Sequence, residues 1–275
     1  MPEAPIQFSL VSLMIGLTLS TTIGGIVWRL KMLSADGWFA ASLVGGITFG
    51  LGGLPAAILL VAFFASSSLL SRAFPSSKIQ VAVNFAKGGR RDWAQVAANG
   101  GVATLGLIAS VMGWVPESIA WIIFASSLAA VTADTWATEI GVLSAGKPRL
   151  ITTGKRVPRG TSGGISLLGS LIALIAALGI AILAWLLGMT IITVIPLITL
   201  CGLAGSFVDS ALGATVQAIY YCPKCKKETE RYPFHFCGTP TTLHRGWHWL
   251  DNDWVNFLSA TFSALLAVVL FVFLV

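Results

Sequence analysis

Charge is scarce in this 275-residue chain. Only 10% of its residues are Asp, Glu, Lys or Arg, whereas 56% are hydrophobic and the mean hydropathy is +0.85. Soluble domains carry about 25% charge, so an ordinary soluble domain is excluded. Histidine is also rare, at three residues. The short connections Gly50–Leu54, Gly113–Glu117 and Leu187–Thr190 contain no Lys or Arg at all. All 17 basic residues fall instead in four clusters: Arg29/Lys31, Arg72 through Arg91, Lys147 through Arg159, and Lys224 through Arg245. Each cluster follows an apolar run long enough to cross a bilayer, and positive loops stay on the cytoplasmic side. The net charge of +6 is therefore explained by loops facing anionic headgroups or anionic substrates, and nucleic acid is not expected as a partner. Met1–Gln7 holds no basic residue and no Ala-x-Ala site follows the first apolar run, which reads as a retained helix.

A crossing helix needs about 20 apolar residues. The candidates are Phe8–Trp28, Trp38–Gly50, Leu54–Ser71, Trp93–Gly113, Ser118–Leu143, Gly164–Leu187, Met189–Tyr220 and Trp254–Val275. The second is short and glycine-rich, a helical hairpin arm or a re-entrant segment, so seven full crossings are the alternative to eight. Eight crossings, with both ends outside, put every basic cluster inside; seven put at least one on the wrong side. The expected fold is all-α: one polytopic membrane helical bundle over residues 1–275, with a small cytoplasmic cysteine-rich insert over 221–253. The protein is expected in the cell membrane, among membrane lipids, with its polar chemistry facing the cytoplasm.

Asp134, Glu139 and Asp209 lie toward the cytoplasmic ends of apolar spans. Charges in hydrocarbon cost at least a few kcal/mol, so such residues face a bundle interior or a wet cavity. Taken singly, each could equally be a helix-end carboxylate paired with a loop base. Asp134-Thr135-Trp136-Ala137-Thr138 and Asp209-Ser210-Ala211-Leu212-Gly213 echo each other as an Asp followed by a hydroxyl and small residues. Convergent acids without a histidine suggest divalent metal. Mg²⁺ takes oxygen ligands, typically one or two carboxylates plus phosphates, and Asp134 and Asp209 are the expected pair.

Between the fifth and sixth spans runs Thr152-Thr153-Gly154-Lys155-Arg156-Val157-Pro158-Arg159-Gly160-Thr161-Ser162-Gly163-Gly164. Glycines let backbone N–H groups approach a ligand, the next helix offers its positive end, and Lys155, Arg156 and Arg159 add charge. This describes a phosphate cradle, although the Gly-Lys-Ser/Thr order of a Walker A loop is absent. The bland alternative is a positive-inside loop with a helix cap. A second basic glycine segment holds Lys87, Gly88, Gly89, Arg90 and Arg91 and leads to Gln95 and Asn99, which share a helix face. Those amides either bind a ligand or bridge neighbouring helices.

Cys201 lies within a span and reads as a small buried apolar residue. Cys222 and Cys225 form a Cys-x-x-Cys turn, and His235 stands two before Cys237. These four can close a tetrahedral Cys₃His zinc site, with His244 and His248 as rival fourth ligands. Three cysteines in a reducing compartment do not pair evenly, which argues against a disulfide. The zinc would be structural.

Lys87-Gly88-Gly89-Arg90 through Gly101, Ala133–Glu139, Pro158–Gly164 and Asp251-Asn252-Asp253-Trp254-Val255-Asn256, in this order, resemble the integral-membrane family of phytyl-phosphate kinase and transmembrane protein 19. The resemblance runs from the second span onward. It implies an enzyme that transfers a phosphoryl group from a nucleoside triphosphate, CTP or ATP, to an isoprenyl monophosphate, giving the diphosphate. On that reading Asp134, Asp209, Glu139 and Lys155 are catalytic. Arg156, Arg159, Gly160, Thr161, Ser162, Gly163 and Gly164 hold the nucleotide. Lys87, Arg90, Arg91, Gln95, Asn99, Asn252 and Asn256 hold the lipid phosphate. The alternatives are a membrane nucleotidyltransferase acting on a lipid phosphate and an ion-coupled transporter.

Overall fold

The first helix, α1, spans Leu10–Arg29 and opens on Ser9, whose side chain accepts from the Ser12 N–H at 3.3 Å. The computed structural model describes residues 5–73 and 90–274. In these, α2 covers Ala35–Arg72, α3 Trp93–Val111, α4 Glu117–Gly141, α5 Leu167–Leu186, α6 Ile195–Thr215 and α7 Asn252–Leu274. Among the described residues, seven helices are long and apolar enough to cross a membrane.

The longest, α2, is two helical arms. Gly53 sits at φ +63° in the left-handed region, and Pro55 lacks an N–H, so the ladder of hydrogen bonds breaks there. The first arm runs back along α1: Gly50 lies against Leu13, Gly46 against Leu17, and Ser20 donates to the Ser42 carbonyl at 2.7 Å. At the tip, Gly52 meets Leu107 and Trp121. The second arm then returns, and the Arg72 guanidinium donates to the Leu30 carbonyl at 2.6 Å. Both ends of α2 therefore lie at one end of the bundle, and the glycine-rich segment is a hairpin arm. Eight apolar arms are carried on seven helices.

The centre is α4. Ile119, Ala120, Trp121, Ile122, Phe124 and Ala125 are buried, as are most residues onward to Ala133. Small residues bring its neighbours close: Gly106 of α3 against Ile123, Gly202 and Gly205 of α6 against Ala129 and Ala130, and Gly169 of α5 near the Ala137 carbonyl. From α7, Ser263 donates to the Ser126 carbonyl at 2.9 Å, and the Trp136 indole donates to Ser66 of α2 at 3.2 Å. Close backbone approach and interhelical hydrogen bonds are how helices associate where apolar burial against lipid yields little. The outer faces of α1, α5 and α7 expose Leu10, Val11, Met14, Leu171, Ile175, Leu265, Val269 and Phe273, as lipid-facing surfaces do.

Two expected spans are shorter than their apolar runs, one at its start and one at its end. Gly164–Ile165 (β2) pairs antiparallel with Arg149–Leu150 (β1), so α5 starts only after Ser166. The run to Tyr220 stops at Thr215; Ile219–Cys222 (β3) is a strand between Lys227–Thr229 (β4) and Thr242–Arg245 (β5). Apolar residues Ile219 and Tyr220, which belong to β3, made the run look longer than the helix. Cys201 is buried, as expected.

Candidate active site

A cavity of about 760 Å³ opens at the end of the bundle where Leu30, Arg72 and Arg91 lie. It is walled by the second arm of α2, by α3, α4, α5, α6 and α7, and by the small β-sheet.

The sequence places the acids on two of these walls. Asp134 stands on α4 roughly two turns before its C-terminus, and Asp209 stands on α6 at similar depth. Their carboxyl groups lie within hydrogen-bonding distance of each other, and Glu230 from the sheet faces both. Asp209 is buried and accepts from the Ser259 hydroxyl of α7 at 3.3 Å. Two buried carboxylates in contact persist only by sharing a proton or a cation. The donors are all oxygen and come from two separate helices, the donor type that a hard divalent cation takes.

Glu139 lines another part of the wall. Its carboxylate accepts from the Ser71 hydroxyl at 2.6 Å and faces Arg91. The Arg91 guanidinium lies 5.3 and 5.2 Å from the ring centres of Phe63 and Phe64. Burial lowers its pKa to about 10, opposed by Glu139, and it is still a cation at neutral pH. The Arg91 backbone is stitched to the α1–α2 connection, donating to the Met32 carbonyl and accepting from the Ser34 N–H. Gln95 and Asn99 line the cavity beside it, one turn apart on α3. Gln95 also accepts from the Asp92 N–H at the helix start.

The glycine-rich turn closes the opposite side. Gly160, Thr161, Ser162, Gly163 and Gly164 all line the cavity, with Ser166 capping α5 by accepting from the Gly169 N–H at 3.0 Å. Gly163, at φ +82°, sits directly on Ala214 of α6. Asn252 and Asn256 of α7 complete the lining.

Not every expected residue arrives. Lys155 and Arg156 are exposed and do not line the cavity. Their stretch is occupied with its own turn: the Leu150 N–H donates to the Lys155 carbonyl, and Arg156 bridges to Arg149. Arg90 is exposed and likewise off the wall. Arg159 does line it, but its guanidinium donates to the Ser144 carbonyl at 2.5 Å, tying down the backbone that follows α4. Lys87 lies outside the described residues. The cavity also holds residues not anticipated as ligands: Ser71, Arg72, Glu230, Arg231, Asp251 and Asp253. Asp253 had a signal, an acid at the head of an apolar span. Glu230 and Arg231 had none, because charged residues in a basic loop look solvated until the sheet folds back over the membrane end.

The sheet carries the cysteine cluster. Ligand atoms of Cys222, Cys225, His235 and Cys237 all lie within 4.8 Å of one another, so this Cys₃His group could hold a metal ion and is compatible with structural zinc. Thr239 and His235 hydrogen bonds lower the Cys237 thiol pKa to about 5, while hydrogen bonding with Cys237 raises that of Cys225 to about 11, so without metal the cluster keeps its thiolate on Cys237. The rival histidines are engaged elsewhere: His244 lies 3.4 Å from Glu228, and His248 packs edge-on against Tyr220 and Tyr232.

The sequence profile of the family described as integral membrane protein DUF92 matches residues 18–264. The chain is 34% identical to Protein PGR of Arabidopsis thaliana over 96% of both chains. It is 32% identical to an uncharacterized membrane protein of Methanocaldococcus jannaschii, over 77% of this chain and 86% of that one. It is 28% identical to Protein VTE6, chloroplastic, of Arabidopsis thaliana, over 86% of this chain and 65% of that one. No solved structure gives a significant match.

Proposed function

The chain belongs to the DUF92 family of integral membrane proteins, and from that premise we propose that it is a lipid-phosphate kinase. It transfers the γ-phosphoryl group of CTP or ATP to an isoprenyl-type monophosphate at the cytoplasmic face of the cell membrane. One observation carries this reading: a single cavity joins the Asp134–Asp209 pair, the Gly160–Gly164 turn and the Arg91–Gln95–Asn99 wall. The resemblance to phytyl-phosphate kinase supplies the lipid class.

The chemistry asks little of a general base. A lipid monophosphate is already anionic at neutral pH. Its oxygen forms the new bond to the γ-phosphorus while the bridging oxygen between the β- and γ-phosphorus atoms leaves with the nucleoside diphosphate. Catalysis is then positioning and charge neutralisation. The glycine turn offers backbone N–H groups at the head of α5 to the nucleotide phosphates. Arg91, Gln95 and Asn99, with Asn252 and Asn256 across the cavity, orient the lipid phosphate, whose tail leaves sideways between helices. Asp134 and Asp209 would hold Mg²⁺, which when bound neutralises phosphate oxygens. Lys155 and Arg156, exposed and off the cavity, lose their place in the site, and Glu139 serves to hold Arg91. An ion-coupled transporter is less well supported, because the polar lining gathers at one end of the bundle.

The test is product analysis. Detergent-purified protein is incubated with Mg²⁺, CTP or ATP, and phytyl, geranylgeranyl or undecaprenyl monophosphate. A lipid diphosphate with nucleoside diphosphate is expected. Pyrophosphate release with a nucleotide-linked lipid would instead make it a nucleotidyltransferase, and no product from any pair would reject both.

A further inference from the structure

We infer that the metal cluster of the β-sheet sets the geometry of the glycine-rich turn, through a directional relay from Glu230 to Gln217 to Ser162. Gln217 is 2% exposed and lies just past the end of α6. Its backbone is fixed on every side: its N–H donates to the Leu212 carbonyl, its neighbours bond to Trp247 and Leu250, and its carbonyl packs against Gly246. Its side-chain nitrogen donates to Glu230 at 3.0 Å, and its side-chain oxygen accepts from Ser162 at 2.8 Å.

The geometry has one sense: the amide turns its NH₂ toward a Glu230 carboxylate oxygen and its oxygen toward the Ser162 hydroxyl, the arrangement that lets the carboxylate accept and the hydroxyl donate. The Ser162 proton is thereby committed to Gln217. The hydroxyl oxygen presents only lone pairs to the cavity, so it meets donors or a cation there and does not donate to a phosphate.

The start of the relay depends on the cluster. Glu230 directly follows β4, which pairs with β3 in the register Cys222↔Lys227 and Tyr220↔Thr229. It lies between the ligands Cys225 and His235, within the loop a bound metal closes. Beyond it, Thr241 donates to the Arg231 carbonyl at 2.9 Å. Metal binding of this kind is coupled to the order of the loop it closes. Releasing the metal loosens the loop that places Glu230, the Gln217 amide loses its fixed sense, and the turn loses the Ser162 anchor. Linkage makes the effect reciprocal: a ligand that orders the turn tightens metal binding by the same factor. The coupling needs only this geometry, whereas its effect on nucleotide affinity rests on the kinase reading.

Hydrogen–deuterium exchange of the full-length protein in detergent tests it. Thr161 and Gly164 donate within the turn, to the Pro158 and Thr161 carbonyls, so their protection reports its order. Chelation of zinc, or Cys225→Ser, should speed exchange over 160–164 by about tenfold while the α4 core over 119–133 stays unchanged. Ser162→Ala should exchange fast already and respond no further to chelation; Gln217→Met, if it folds, should match it. MgATP or MgCTP should slow zinc loss to a chelator in the wild type but not in Ser162→Ala. An unchanged turn after zinc release would overturn the inference, as would a Ser162→Ala turn that still answers chelation by the wild-type factor. Exchange coupling without nucleotide turnover would leave the relay standing and sink the kinase reading.

Discussion

Gly163 and Ala214 meet so closely that a Cβ built on the glycine would lie 2.4 Å from the Ala214 Cβ. Gly163 also sits at φ +82°, so any side chain there is both strained and obstructed. Gly163→Ala should destabilise by about 1–3 kcal/mol from overpacking, on top of the backbone strain. Gly154→Ala is the control, because φ is +67° there but nothing lies within 4 Å. It carries only the backbone term of about 1–2 kcal/mol. Thermal unfolding in detergent should separate the two, and equal losses would mean the turn is not seated on α6.

Asp134→Asn keeps size and hydrogen bonding but removes the charge a hard cation requires. Transfer should fall at least a hundredfold, about 2.7 kcal/mol of barrier. Without Mg²⁺ the same change, and Asp209→Asn, should leave the unfolding temperature unchanged or higher, because a neutral amide takes the place of the carboxyl that the buried pair must otherwise keep protonated. Normal turnover in both variants would dismiss the metal pair.

Purified protein should contain one zinc per chain. Cys225→Ser should lose it and expose the loop between β3 and β5 to protease. His235→Ala should lose zinc and His244→Ala should keep it, as judged by elemental analysis; the reverse result would move the fourth ligand.

Single cysteines at Gly53, Glu117 and Gly188 should react with an impermeant thiol reagent from outside the cell, and one at Lys155 should not. Outside labelling at Lys155 would invert the topology.

How much of this was legible depended on whether a residue's partner was near in sequence. The hairpin arm of α2 was open to reading, beside a re-entrant segment, from Gly45, Gly46 and Gly50, whereas the break itself, at Gly53 and Pro55, came with the structure. The echo between Asp134 and Asp209 was visible as a pattern, and the two side chains do meet. The exposed positions of Lys155 and Arg156, off the cavity wall, were not legible, because charge beside glycine looks the same whether it faces a ligand or solvent. Glu230 was beyond sequence reasoning altogether: its place depends on a strand register that returns it to helices far away along the chain.

The helix that bears Asp134 has a mean hydropathy among the lowest of the seven, yet it is the most deeply enclosed. Ser126, Ser127 and Thr132 lie on it fully buried. Lipid is a poor solvent for such a segment, and its neighbours are a good one. The bilayer therefore holds α4 largely by proxy, through helices that do face hydrocarbon. A monomer that has inserted its outer helices but not gathered them has no stable home for α4 and no acid pair. A chain whose α4 is properly housed is also a chain whose acid pair exists.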